Sequence, residues 1–404
     1  MKEFVSLLIS FIFMAIADSI DLAFNNAISM DTIVVCGSLI FIDLILKSIS
    51  DIGIFTYRTA RKDESAYLII NVIVGFILGV IVFLSRGLIV NLFDLTVIQR
   101  DLLSNILALY IIYLTIGRLS DAIFEMVRLK NELKLYRKSL ILYYVTLISF
   151  DAIVYILTKN LILLFVATIV SWLISISYML IKLKLKFIWP NKSILKEVIK
   201  IGIPTALERL LSRICILLYG LLASKLGTEK YSIHSICYST ILKLEVIAAA
   251  FQAVMMIQLP KYKTVDERFE ASKKMKKDYF LLIILLDYIF GTIILIISHG
   301  SLPLYKCFPY ILFYSIQVFG LYYYAVYQTL LIVQGKPKIM LIGSFVGSLA
   351  RLVLSYVFLN TDISLFIFGI SNFIDFYIRD IIYKIGLSKI YKTSFNKEIT
   401  EKGS

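Results

Sequence analysis

Residues 67–92 read YLIINVIVGFILGVIVFLSRGLIVNL, with Arg86 as the single charge. A membrane-crossing helix needs about 20 mostly apolar residues, and this run supplies them with a turn to spare. The same signal repeats on either side of it. Allowing a few internal charges, the predicted spans are 4–26, 33–57, 67–92, 102–127, 139–158, 161–183, 198–224, 231–258, 279–299, 308–333, 339–360 and 363–385. The expectation is an all-α polytopic membrane protein with twelve transmembrane helices.

Composition agrees. Of 404 residues, 59% are hydrophobic and 17% charged, and mean hydropathy is +0.86. Soluble domains carry about 25% charged residues, so too little polar surface remains to coat a water-facing globule. The formal charge of +14 would point to nucleic acid in a soluble protein. In a membrane protein it reflects basic residues gathered in cytoplasmic loops, so no nucleic acid partner is expected.

The positions of Lys and Arg test the span count separately. With the N-terminus placed in the cytoplasm, the basic clusters at Arg58–Lys62, Arg128–Lys138, Lys182–Lys200, Lys261–Lys277 and Lys384–Lys402 all fall on that side. The opposite side receives only Arg86, Arg100, Lys159, Lys225, Lys230 and Lys306. One miscounted span would invert this pattern downstream of the error. Both termini are therefore expected in the cytoplasm, with the chain in the cell (plasma) membrane.

The long basic linker containing Trp189 and Pro190 divides the spans into two sets of six. The expected division is an N-terminal lobe over 1–184, a linker over 185–197, a C-terminal lobe over 198–392 and a tail over 393–404. Weak correspondence at an offset of roughly 200 residues (Arg58 with Lys261, Asn131 with Gln334) suits two pseudo-symmetric six-helix bundles around a central cleft, rocking in alternating access. Chance similarity between apolar segments gives the same weak signal.

Charges inside the spans are expensive, each costing about 2.5–3.5 kcal/mol at mid-bilayer, so they pair or face a cavity. Asp43, Lys47 and Asp51 stand at i, i+4 and i+8 on one helical stripe of alternating sign. Arg118, Asp121 and Glu125 share one face of the fourth span. These six form either an internal salt-bridge ladder or a gate whose ion pairs break and re-form. Asp18 and Asp21 lie three apart in the first span with no base nearby in sequence. They either couple a cation or pair with Arg209, Arg213 or Arg351. In the tenth span Tyr323, Tyr324, Tyr327 and Gln328 either pack or line a substrate cavity, where the rings would meet an organic cation through cation–π attraction. Arg213 and Arg351 join that cavity list. Cys36, Cys215, Cys237 and Cys307 are scattered singly, which reads as small core residues and not as a metal or disulfide framework. His234 and His299, the chain's two histidines, lie too far apart for an HExxH zinc site. No Ser/His/Asp arrangement or other metal-ligand motif appears, so neither an enzyme nor a cofactor is expected. The first span carries acids and lacks a cleavage motif, which argues against a removed signal segment.

The stretch Ile201-Gly-Ile-Pro-Thr-Ala-Leu-Glu-Arg-Leu-Leu-Ser-Arg-Ile214, continuing to Ala223-Ser-Lys-Leu-Gly-Thr228 and Ser232-Ile-His-Ser-Ile236, resembles the seventh and eighth helices of MATE (multidrug and toxic compound extrusion) transporters. Ala17-Asp-Ser-Ile20 resembles the family's Asp-Thr step in its first helix, although Ala23 and Asn26 stand where glycines are usual. The resemblance implies an exporter of small organic compounds, cationic or amphipathic, exchanged for inward H⁺ or Na⁺ and working as a single chain. Carried over by position, it makes Asp18 the coupling carboxylate, assisted by Asp21, and Glu208 a cation-binding acid of the seventh helix. The family's tenth-helix acid has no counterpart here, which favours protons over sodium. His234 fits the family pattern as a packed polar residue. A second reading within the same superfamily is a flippase for a lipid-linked saccharide, with Arg118, Arg209, Arg213, Arg351 and Lys243 holding a pyrophosphate.

Overall fold

The computed structural model describes residues 2–60, 64–130, 132–184, 188–262, 264–333 and 336–402. Its α-helices run α1 (Lys2–Ile28), α2 (Met30–Ser50), α3 (Ile52–Ala60), α4 (Glu64–Leu92), α5 (Val97–Ala108), α6 (Tyr110–Leu129), α7 (Leu133–Leu157), α8 (Leu161–Leu183), α9 (Lys192–Glu197), α10 (Ile203–Ser224), α11 (Thr228–Gln258), α12 (Val265–Ser298), α13 (Leu304–Val333), α14 (Pro337–Val357) and α15 (Ser364–Lys402). A π-helical turn, Val198–Gly202, leads into α10. No strand occurs among the described residues.

Each predicted span coincides with one helix or with a broken pair. Residues 33–57 are α2 followed by α3, and 102–127 are α5 followed by α6. Among the described residues, α2, α4, α7, α8, α12 and α14 are singly long and apolar enough to cross a membrane, and α5 with α6, bent by 55°, is so when the two are taken together. The other spans spend positions on charge or tyrosine: Asp18 and Asp21 in α1, Arg209 and Arg213 in α10, Lys243 and Glu245 in α11, tyrosines in α13, and Asp375 and Arg379 in α15. Apolar side chains turned outward, such as Leu84, Leu88, Ile156 and Leu281, are about three-quarters exposed. That suits a lipid-facing surface and no aqueous one.

Local chemistry sets the helix ends. Ser29 and Thr32 cap α2 reciprocally, each backbone N–H donating to the other's hydroxyl at 3.2 Å. Thr96 with Gln99 opens α5 in the same manner, as does Thr264 with Glu267 for α12. Asn160 and Asn191 cap α8 and α9. Where α2 breaks at Asp51, the Gly53 N–H donates to Asn71 Oδ1 of α4 at 2.8 Å, so the break leaves no buried donor there unsatisfied.

The chain divides into two compact units. The N-terminal unit comprises Ile20–Ser235 with Gly300–Leu302, and the C-terminal unit comprises Met1–Ser19 with Ile236–His299 and Pro303–Ser404. In the N-terminal unit, Gly75 and Gly79 sit one turn apart on α4 and let the α6 backbone approach. A β-carbon at Gly79 would stand 2.6 Å from Ile111 Cα, and one at Gly75 would stand 2.9 Å from Leu114 O. This is the small-xxx-small contact by which membrane helices gain packing where water supplies no drive. Also in this unit, α10 lies against α2, where Gly220 makes room for the Phe41 ring. In the C-terminal unit Gly343 and Gly347 of α14 do the same for α15, where a β-carbon at Gly347 would stand 2.3 Å from Asp375 Oδ1.

Gly79→Leu should force α4 off α6 and destabilise the protein by about 1–3 kcal/mol, as overpacked cores do. Gly87, on the same helix, is the control. A β-carbon added there would meet nothing within 4 Å, and Gly87→Ala should leave the unfolding midpoint the same or slightly higher. Thermal unfolding in detergent, followed by tryptophan fluorescence, measures both.

Candidate cation site and buried ion-pair networks

Asp21 and Asp151 meet inside the N-terminal unit. Asp151, from α7, is fully buried, and the ionisable group facing it is the Asp21 carboxylate of α1, within hydrogen-bonding reach. One turn along both helices the contact continues with Phe24 against Tyr155, ring centroids 5.6 Å apart. Ionised carboxylates only accept hydrogen bonds, so the two Asp151 oxygens find no donor there. A proton on either acid converts the contact into a hydrogen bond. Asn25, the next residue on the Asp21 face, donates from Nδ2 to Asp21 O at 3.0 Å and to Asp21 Oδ1 at 3.3 Å. Its own Oδ1 is buried without a hydrogen-bond partner. Two carboxylates thus face one another where like charges repel unless one holds a proton.

Asp18 takes a different partner. In the C-terminal unit its Oδ2 lies 3.2 Å from Lys243 Nζ of α11. Three residues of helix separate Asp18 from Asp21 but rotate them by about 60°, enough to give one a base and the other an acid. The Glu208 side chain lies outside the described residues.

The Asp43–Lys47–Asp51 stripe of α2 and the Arg118–Asp121 face of α6 meet within the N-terminal unit. Arg118 Nη1 is 3.1 Å from Asp51 Oδ1 and 3.1 Å from Asp121 Oδ2, while Lys47 Nζ is 3.3 Å from Asp121 Oδ2. Tyr110 donates to Asp43 Oδ1 at 2.8 Å, and Tyr113 also reaches that carboxylate. Two of these pairs, Arg118–Asp51 and Lys47–Asp121, run between α2 and α6, while Arg118–Asp121 runs along α6. The break after Ser50 places Asp51 at the α2 terminus, where Arg118 meets it. Arg118 and Asp51 are nearly buried, whereas Lys47 is half exposed. Glu125 is half-buried one turn further along α6. Arg213 is half-buried on α10 in the same unit.

The C-terminal unit holds its own network. Arg379 grips Asp375 through two hydrogen bonds, Nε at 2.6 Å and Nη2 at 2.9 Å, the bidentate geometry that favours arginine. Arg351 donates to Asn372 Oδ1 at 2.7 Å and stands 3.5 Å from the same Asp375. Ser348 accepts from Arg379 at 2.9 Å. All three charged groups are buried.

The tyrosines expected around a substrate have cations from this chain against them. Lys276 Nζ lies 3.8 Å from the Tyr323 ring centroid and 5.4 Å from that of Tyr327. Tyr324 stacks on Phe376 at 5.1 Å with the Arg379 guanidinium 5.8 Å away. Gln328 accepts from Gln252 at 2.8 Å. His234 is fully buried among Phe41, Tyr219 and Tyr231, and all four cysteines are buried.

Sequence pattern places Asp151 among the in-span acids but gives it no role. Its signal is isolation, since it is the one charged residue between 139 and 158. Asp375 and Arg379 carry the i, i+4 spacing of a helical ion pair, a signal the sequence reading leaves unused. Asp287 of α12 is a further such group, 1% exposed with neither carboxylate oxygen hydrogen-bonded.

No protein-family model matches the sequence, and no curated protein does. Solved structures match along nearly the whole chain. The inward-facing conformation of a multidrug resistance MATE family transporter of the MOP superfamily gives a TM-score of 0.76 at 16% identity, covering 96% of this chain and 99% of that one. An outward-facing conformation of such a transporter gives 0.65 at 14% identity, covering 97% and 96%. A MOP superfamily transporter from Pyrococcus furiosus, described as having a binding pocket of reverse polarity that suggests a different function, gives 0.69 at 15% identity, covering 96% of each chain. The chain therefore carries the fold of the MATE transporters of the MOP superfamily.

Proposed function

We propose that this protein is a secondary-active exporter of small organic compounds, cationic or amphipathic, working by alternating access in exchange for an inward-moving cation. The observation that carries the reading is the Asp21–Asp151 contact. Asp151 is buried with neither carboxylate oxygen hydrogen-bonded, and it faces a second carboxylate, an arrangement that an entering proton relieves. A group of that kind couples ion entry to conformation, because its charge balance differs between loaded and empty states. The coupling carboxylate of α1 is then Asp21, while Asp18 serves as an ion-pair partner of Lys243.

A proton is the cation proposed. The two acids lie within hydrogen-bonding reach, a spacing that one proton bridges and that leaves little room for a sodium ion between them. The fold likeness to transporters described in inward- and outward-facing conformations supports alternating access. The flippase reading needs bases presented to an anionic lipid precursor. Of the bases that reading names, Arg118 is engaged by Asp51 and Asp121, Lys243 by Asp18, and Arg351 by Asn372 and Asp375, which supports the exporter. The distribution of Lys and Arg supports both termini on the cytoplasmic side of the cell membrane.

Proteoliposomes carrying a pH gradient provide the first test, with ethidium as the transported probe. Asp151→Asn and Asp21→Asn should each reduce gradient-driven ethidium movement by about tenfold or more, in line with the loss of an essential proton-transfer group, whereas Asp18→Asn should retain most of it. Undiminished transport by Asp151→Asn removes the assignment.

The second test needs no substrate. Infrared difference spectra of the reconstituted protein across a pH titration should show a protonated-carboxyl band that is lost in Asp151→Asn. Replacing potassium with sodium should leave that band unchanged. A band displaced by sodium in the wild type would instead make sodium the coupling ion.

A further inference from the structure

At the basic end of the N-terminal unit, an open recess of about 530 Å³ lies where the α6–α7 turn meets the C-terminus of α8. Four lysines line it: Lys130 after α6, Lys134 and Lys138 on the first turns of α7, and Lys182 on the last turn of α8. Glu132 is the one carboxylate among the lining residues, and Tyr178 completes the wall from α8. The register that assembles them is fixed by Ser175 of α8, whose hydroxyl donates to Ser139 O of α7 at 3.1 Å. The start of α7 adds the positive end of its helix dipole to the same place.

What lies beside the recess identifies its ligand. Lys134, Lys138, Ile141 and Val145 follow the i, i+4, i+7, i+11 spacing of a single helical face. The two aliphatic members are 52% and 56% exposed, and Ile181, next to Lys182 on α8, is 72% exposed. Ammonium groups thus give way, along one face, to bare aliphatic surface at the edge of a membrane-spanning helix. A soluble anion would use the lysines and leave that strip idle, while an amphiphile with an anionic head would use both.

We propose that this recess binds the phosphodiester headgroup of an anionic phospholipid, with its acyl chain laid along Ile141 and Val145. The orientation fits, because the basic loops face the leaflet in which anionic headgroups attract polybasic segments. The inference goes beyond the export reading and uses neither Asp21 nor Asp151, so failure of either leaves the other standing.

The test uses the full chain in a neutral maltoside detergent, with bound lipid read by native mass spectrometry. The added probes are dioleoylphosphatidylglycerol, dioleoylphosphatidylcholine and inorganic phosphate, in separate arms. The expected result is a retained phosphatidylglycerol adduct, no comparable phosphatidylcholine adduct, and an apparent affinity about tenfold or more lower in Lys134→Gln/Lys138→Gln/Lys182→Gln, given the gain per lysine near anionic headgroups. Lys261→Gln/Lys274→Gln/Lys277→Gln removes the same charge from exposed positions elsewhere and should bind as the wild type does. Should the triple variant fail to fold, Lys138→Gln alone should show a smaller loss in the same direction. Equal phosphatidylglycerol binding by the wild type and the recess variants overturns the proposal. So does inorganic phosphate displacing the lipid at equimolar concentration, which would assign the recess to the free anion.

Discussion

Like charges brought together in an apolar surround repel, and the Asp21–Asp151 contact sets two acids against that constraint. Burying an isolated carboxylate costs several kcal/mol, and two that face one another add their mutual repulsion unless one holds a proton. The neighbouring design makes the contrast plain. Asp43, Asp51 and Asp121 are surrounded by Tyr110, Lys47 and Arg118, and Asp375 lies between two guanidiniums. Those acids are met by this chain's own donors and bases. In the contact between α1 and α7, by contrast, Asp151 has neither oxygen hydrogen-bonded and faces another acid.

Close backbone approach is the other means by which the helices are held. In lipid no hydrophobic drive favours one helix partner over another, so contact quality decides. Gly75 and Gly79 bring α4 onto α6, and α6 in turn presents Arg118 to α2. Gly343 and Gly347 bring α14 onto α15 beside Asp375 and Arg379. In both units a glycine pair sits next to a buried ion network, where a small misplacement of either helix would strand a charge.

Hydropathy made the helices legible. The apolar runs are long, the loops are marked by lysine, and each span found in the sequence has its helix or broken pair. The breaks themselves were not legible. The α2–α3 break depends on Asn71 of α4 accepting the Gly53 N–H, and the 55° bend between α5 and α6 has neither proline nor glycine at Leu109 to announce it. Pairing was only half legible. Periodicity placed Asp43, Lys47 and Asp51 on one face and Arg118 with Asp121 on another, but a face does not name its neighbour. The tyrosines of α13 show the same limit, since Lys276, which covers Tyr323, comes from a different helix. For Asp18 and Asp21 the sequence left coupling and pairing open for both, and a turn of about 60° gives them different neighbours, Lys243 and Asp151.

The chain has two tryptophans, and their placement has a practical consequence. Trp189 is 75% exposed, while Trp172 packs on Tyr113 with ring centroids 5.0 Å apart and against Gly117 of α6. Tyr113 stacks on Tyr110, the residue that holds Asp43. With Trp189 replaced by phenylalanine, the emission of a single indole would report on the aromatic stack beside the α2–α6 charges. The molecule thus carries an intrinsic optical probe of the N-terminal unit, with no dye to attach and no cysteine to engineer.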